Sequence, residues 1–255
     1  MTTFSASALF LVFEAATSAG SVAIIRVGIA GNGEVLAASD VAMGVGRDDH
    51  LFPAASAVLA AVGVLGRDLA GIVCGSGPGS FTSLRIAASL AKGLASGYEV
   101  PLYAVSSLLL AAAAVPDDLV AALHNRHLVI HADALRGERY VQAVLRSADG
   151  RIAAAGSVSR VATEALDTVA AGGVLIGVRG SASAADPPNA SSIATMVTPR
   201  AAALVRVAPE AWQTPVSLDA WEPEYGRLAE AQVQWEVAHQ RALPTGGEPR
   251  EDSPS

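Results

Sequence analysis

The chain has one cysteine, Cys74, so no internal disulfide can staple it. Its place inside an apolar run marks it as a buried small hydrophobe rather than a reactive thiol. Aromatic residues are scarce, 5% against 51% hydrophobic, so the core must be built from Ala, Val and Leu with closely approaching backbones. Basic side chains are outnumbered 17 to 24, for a formal charge of −7. That balance excludes a chain that grips nucleic-acid phosphates unaided, because such binding rests on clustered Lys and Arg. No apolar run approaches a membrane span: the longest, Leu108 to Val115, stops at Pro116. No basic segment leads into an apolar one near Met1, so no signal peptide is expected and the protein is read as cytoplasmic.

Catalytic motifs are missing too. The glycines of GSGPGS (Gly75 to Ser80) are not followed by Gly-Lys-Ser/Thr, and their G-x-G-x-G spacing is not a dinucleotide fingerprint. The serines lie in small-residue contexts with no G-x-S-x-G elbow.

What is present is the stretch Gly75 to Ala95, GSGPGSFTSLRIAASLAKGLA. It joins an apolar strand to a long helix through Gly75, Gly77, Pro78 and Gly79, with Ser80 as the expected N-cap. Such a turn can hold an anion at the helix N-terminus or simply make a tight corner. With no cation or metal ligand beside it, the corner is the favoured reading.

The rest of the chain falls into two similar halves. Strands are expected at Ala8–Phe13, Ser21–Val27 and Glu34–Val41. A helix follows from Asp49 to Leu65, then a strand at Leu69–Cys74, a helix from Ser80 to Ser96 and a strand near Val100–Ala104. The second half repeats the order. Strands are expected at Leu128–Ala132, Arg139–Arg146 and Ile152–Val158, a helix from a Thr163 cap to Ala171, a strand at Val174–Val178 and a helix over Pro199–Val207. Two β-β-β-α-β-α units predict an α/β fold of two lobes with a cleft between them. The lobes are expected over residues 1–104 and 105–227, with a helix at 228–242 packing back and a disordered tail at 243–255. Gly180–Ser192 reads as a surface loop.

Both first-half helices are apolar on more than one side. On the second helix, Leu84, Ala87, Ala88, Ala91 and Ala95 form one stripe and Ser83, Ile86, Leu90, Gly93 and Gly97 another, with Arg85 and Lys92 on a narrow strip between. On the first, Phe52, Leu59 and Gly63 lie off the main stripe. A surface helix has one apolar face. Either the second lobe covers the extra stripes, or they meet a partner. The partner candidates are Phe52, Leu59, Ser83, Ile86, Leu90 and Gly93, and Gly75, Gly77, Pro78, Gly79 and Ser80 form the structural loop.

His124, His127 and His131 cluster, but His127 and His131 fall on a strand, not a helix, and no second group completes a ligand set. No metal and no cofactor is expected. Glu14 ends the first strand, where it can act as a base, bind magnesium or cap the turn after it. Asp133, Arg136, Gly137 and Glu138 read as a polar hairpin.

GSGPGSFTSLRIAASLAKGLA, followed by VPLYAVSSL, resembles the TsaB family, also called YeaZ, of bacterial tRNA threonylcarbamoyladenosine synthesis. DALRGERY (Asp133 to Tyr140) is similar to that family's D-A-R-R-G-E-V-Y, and EPEYGRLAEAQVQWE to the ending of some members. The resemblance runs from about Leu9 to Glu236. It implies the two-lobed fold shared with actin, Hsp70 and sugar kinases. It further implies a non-catalytic scaffold that pairs through first-lobe helices with a TsaD transferase, with the ATPase TsaE completing the assembly, tRNA reached only through the complex, and a homodimer when alone. The rivals are an ATP-dependent kinase using Glu14 and, more remotely, a glycoprotease-like peptidase. Three features depart from the family. Glu14-Ala15-Ala16-Thr17 replaces Asp-Thr-Ser/Thr, which weakens a kinase-like phosphate and magnesium site, while Ser83 replaces Gly and Arg47 replaces His, both bearing on partner contact.

Overall fold

A strand buried on both faces needs apolar residues at every position, and Leu9 to Phe13 supply them. In the computed structural model, which describes residues 7–28, 32–43, 50–122, 127–147, 149–179 and 195–225, this run is β1 (Ala8–Glu14), the central strand of the first sheet. It pairs antiparallel with β2 (Ala19–Val27), which in turn pairs with β3 (Gly33–Ala42). The helix α1 (Leu51–Val62) follows, with Pro53 in its first turn. It ends short of the expected Leu65 because Gly63, at φ 71°, closes it in a left-handed cap whose N–H groups return to Leu59 and Ala60. β4 (Gly71–Gly75) runs parallel to β1, α2 (Phe81–Tyr98) crosses back, and β5 (Leu102–Val105) runs parallel to β4.

The helix α3 (Ser107–Ala113) is not among the elements expected from the sequence. All seven residues are buried, so the run shows no amphipathic period to betray a helix. Its cap is Ser106, whose hydroxyl accepts the Leu108 N–H at 3.2 Å. α4 (Asp117–Ala122) leads to the second unit. There β6 (Leu128–Asp133) and β7 (Glu138–Arg146) form the expected hairpin. The strand expected over Ile152–Val158 ends at Ala154 as β8 (Ile152–Ala154), and a strand outside that expectation, β9 (Ser159–Ala162), follows; the two pair with opposite ends of β7. Thr163 is not a cap: it begins a 3-10 turn, and α5 spans only Leu166–Ala170 before Ala171 turns left-handed at φ 45°. β10 (Val174–Val178) and β11 (Thr195–Val197) run parallel to β6. The expected helix over Pro199–Val207 is a 3-10 segment, Ala201–Arg206.

The two sheets therefore share one order, β3-β2-β1-β4-β5 and β8-β7-β6-β10-β11. The first gains a further edge strand, β12 (Pro215–Val216), antiparallel to β5. The chain thus returns to the first lobe about ten residues before the boundary expected at 227. The helix expected at 228–242, the tail beyond it, the loop 180–192, His124 and Arg47 lie outside the described residues.

Side-chain alternation sorts the core into layers. Phe10, Val12 and Val73 face α3 and, beyond it, Leu128, Ile130 and Ile176 of the second sheet. Leu11, Phe13, Ile72 and Cys74 face the opposite way, onto α1 and α2. Val129, Val141 and Leu175 form a smaller core under α5. α1 and α2 are thus an outer layer, and the second lobe lies on the other side of the sheet. Among the described residues no helix is long and apolar enough to cross a membrane.

Candidate functional site

The glycine loop is filled by its own chain. The Ser76 N–H donates to the Val105 carbonyl at 2.7 Å, the Gly77 N–H to Ser107 Oγ at 3.1 Å and the Ser80 N–H to the Ala16 carbonyl at 2.8 Å. A side chain at Gly75 would collide with the Glu14 carboxylate, and one at Gly79 with the backbone of Ala16. Gly77 sits at φ 88°, and the Glu224 carbonyl oxygen lies 2.6 Å from where its Cβ would stand. Three loop amides that a phosphate would need are therefore already occupied. Ser80 holds the N-cap position, but its hydroxyl donates to Ser83 Oγ at 3.1 Å instead of capping a backbone N–H. Pro78 is buried beneath this turn.

Glu14 is sealed. It is 0% exposed, its Oε1 accepts the Ala16 N–H at 2.6 Å and its Oε2 accepts the Ser107 hydroxyl at 2.8 Å. Burial raises its pKa to about 7, and the hydrogen bonds from Ala16, Ser107 and Ala15 only partly oppose the rise. Of the roles open to it in the sequence, the structure displays the turn cap, with neither oxygen presented to a cleft. Burial likewise pushes the Cys74 thiol far up, so it carries no thiolate chemistry.

The hairpin after β6 repeats the device. Asp133 Oδ1 accepts the Leu135 N–H at 2.9 Å, and Leu135, Arg136 and Gly137 turn left-handed in succession before Glu138, which pairs with Arg160 at 3.4 Å. His127 Nε2 lies 2.8 Å from the Ala170 carbonyl, and His131 faces Gly177 across the sheet. Four positions along a strand separate the two rings by about 13 Å, too far to share an ion. No metal-sized group of His, Cys, Asp and Glu occurs among the described residues.

The helical layer is where the candidate partner residues lie, and it divides them. Phe52 is 55% exposed and Gly93 is exposed, with nothing within 4 Å of the place a Cβ would take. Leu59, Ile86 and Leu90 are half-buried against the lobe's own core, and Ser83 is buried. The reason is geometric. α1 packs on β2 and β3 while α2 packs on β4 and β1, so their adjoining flanks need apolar residues of their own. The outward face of α2 is instead Thr82, Arg85, Ser89, Gly93, Ser96 and Gly97, and that of α1 is Phe52, Ser56, Ala57, Ala60 and Ala61. Small residues leave a smooth surface on which another helix can come close.

Sequence reasoning missed the chain's return to this layer. Trp221, Glu222 and Tyr225 lie against Lys92 and Phe81 of α2. The signal was there in the charged strip of Arg85 and Lys92, whose complement is the acidic, aromatic run Trp221 to Tyr225.

Two sheets of identical strand order, packed on a shared inner helix, define the two-lobed architecture of actin, Hsp70 and the sugar kinases. The family model of TsaD, tRNA N6-adenosine threonylcarbamoyltransferase, matches residues 48–176, about half the chain. The chain belongs to that family, within its TsaB/YeaZ group. It is 38% identical over 60 residues to the tRNA threonylcarbamoyladenosine biosynthesis protein TsaB of Escherichia coli, a match spanning 24% of this chain and 26% of that protein. It is also similar to a Pseudomonas aeruginosa protein described as resembling peptidase YeaZ, with TM-score 0.68, 25% identity and coverage of 86% of this chain and 100% of that one. YeaZ from the same organism shares the fold, with TM-score 0.66, 24% identity and coverage of 86% and 99%.

Proposed function

We propose that this protein is a scaffold subunit of tRNA threonylcarbamoyladenosine synthesis, without an active site of its own, which pairs with a TsaD transferase through the outward faces of α1 and α2. The observation that carries this reading is the helical layer itself. Its two adjacent helices present Phe52, Ser89, Gly93 and Gly97 to solvent on the side of the sheet away from the second lobe. The glycine loop then serves to launch α2 at a fixed angle from β4. A TsaE ATPase joins the pair, tRNA is met through the assembly, and the chain alone can dimerise through the same face. A kinase would need Glu14 free to hold magnesium, and both of its oxygens are engaged within the chain.

Co-expression with the TsaD of the same organism tests the proposal. A stable heterodimer on size-exclusion chromatography, lost in Gly93→Glu, is the expected result. A chain that elutes alone in the presence of folded TsaD would sink it.

A further inference from the structure

The segment that follows β12 runs back along one flank of α2. Trp221 and Leu218 pack against the first-lobe core. Lys92 Nζ lies 3.1 Å from Glu222 Oε1 and 5.9 Å from the centre of the Trp221 ring. Tyr225 packs on Phe81 with ring centres 4.7 Å apart and donates its hydroxyl to Glu222 Oε2 at 2.7 Å. The Glu224 N–H donates to the Ser76 carbonyl at 2.7 Å, and the Glu224 carbonyl closes over Gly77. One short segment thus touches the glycine corner, the first turn of α2 and its middle.

Phe81, Arg85, Ala88 and Lys92 recur at helical spacing and form a single stripe. It lies beside the exposed stripe of Thr82, Ser89, Gly93 and Ser96. The strap therefore flanks the docking face without covering it. We propose that Trp221, Glu222 and Tyr225 are positioning residues, which fix α2 and the Ser76–Gly77 corner and so set the geometry of the face offered to TsaD. The proposal rests on the docking reading above. Each contact is individually modest, since Glu222 is 62% exposed and the Lys92 pair is a single ion pair over a ring. Such a strap can loosen locally while the lobe stays folded.

Lys92 makes the strap measurable, because it is the only lysine in the chain. Its side chain is 22% exposed. Acylation of the full-length protein with N-acetoxysuccinimide, followed by peptide mass spectrometry with the N-terminal amine as internal reference, reports how often the strap opens. Glu222→Gln and Trp221→Ala should raise the Lys92 rate by roughly tenfold, while Trp221→Phe, which keeps a ring over the ammonium, restores protection. The Glu222→Gln change is at an exposed carboxylate and leaves the melting temperature in place. The same variants should weaken pairing with TsaD by a similar factor. Equal Lys92 rates in the wild type and Glu222→Gln would overturn the strap. Faster acylation with unchanged pairing would overturn its positioning role and leave the docking reading intact. A wild-type chain that does not pair at all would overturn the docking reading and the positioning role together.

Discussion

Two carboxylates end the first strands of the two units, and they do the same local job in opposite directions. Glu14 and Asp133 each accept the N–H two residues on, from Ala16 and Leu135. Glu14 shares a face of its strand with Phe10 and Val12 and turns into the core between the lobes. Asp133 shares a face with Val129 and turns to the outer side. Directly across the hairpin, Glu14 faces Ser21, whose Oγ accepts the Ala201 N–H at 2.8 Å, while Asp133 faces Arg139. One strand order has thus been filled twice with different chemistry. The outer layers differ as well, with the long helices α1 and α2 on the first sheet and the five-residue α5 on the second. A duplicated topology fixes where strands end but not what their last side chains face.

The largest effect is expected at the outer layers. Gly93→Glu places a charge where nothing stands within 4 Å, so the isolated lobe tolerates it and helix propensity improves. Buried under a partner, the same charge should cost about 2–5 kcal/mol of pairing. Val169→Glu, on the exposed side of α5, is the matching change in the second lobe and should leave pairing alone. Calorimetric titration with TsaD measures both. Equal losses would show that the two outer layers are not functionally distinct.

Glu14 comes next. A carboxyl whose native pKa is about 7, against 4.5 in the unfolded chain, stays protonated in the fold after it would ionise outside it. Stability from this group is complete below pH 4.5 and is lost as pH rises through 7, by about 3 kcal/mol in all. Urea unfolding at pH 5 and pH 8 should show that fall in the wild type and a flatter profile in Glu14→Gln. An unchanged slope in the variant would mean that the carboxylate is ionised at little cost where it sits.

The glycine corner after β4 and the hairpin after β6 give a smaller contrast. Gly77→Ala and Gly137→Ala both force an L-residue to positive φ, for about 1 kcal/mol each. Only Gly77 also has the Glu224 carbonyl 2.6 Å from the new carbon, while Gly137 has open space. Gly77→Ala should therefore cost roughly twice as much in thermal unfolding, and it should speed Lys92 acylation by displacing the strap.

Much of this was legible in the sequence, and the exceptions share causes. The strands of both meanders stand out because alternation and unbroken apolar runs are local signals. The Ser107–Ala113 helix does not, because a helix buried on all sides has no period to detect. The strand expected over Ile152–Val158 stops at Ala154, a break of which the small residues Ala155 and Gly156 give no local signal, and β9 begins only at Ser159. At the candidate site, stripe geometry alone brings Phe52 and Gly93 into the candidate set, and both stand exposed. Ser83, Ile86 and Leu90 share that stripe, yet neighbouring chain takes up their sides, and no single-helix pattern contains the neighbour. The same limit hid the strap, whose Glu222 lies 130 positions from Lys92.

The smallest effect should also be a gain. Arg139 is 8% exposed, and its Nε has no hydrogen-bond partner among the described residues. Burying a guanidinium with one N–H left unsatisfied opposes folding, and its replacement by an apolar side chain of similar bulk removes that cost. Arg139→Leu should therefore stabilise the protein by ~1 kcal/mol in urea unfolding, whereas Ser21→Val, across from Glu14, should destabilise it by stranding the Ala201 N–H. A loss of stability in Arg139→Leu would show that the guanidinium supports the Asp133 carboxylate directly across the hairpin. The two lobes would then both balance their strand-end carboxylates within the hairpin, one through neutral hydrogen bonds and the other through charge.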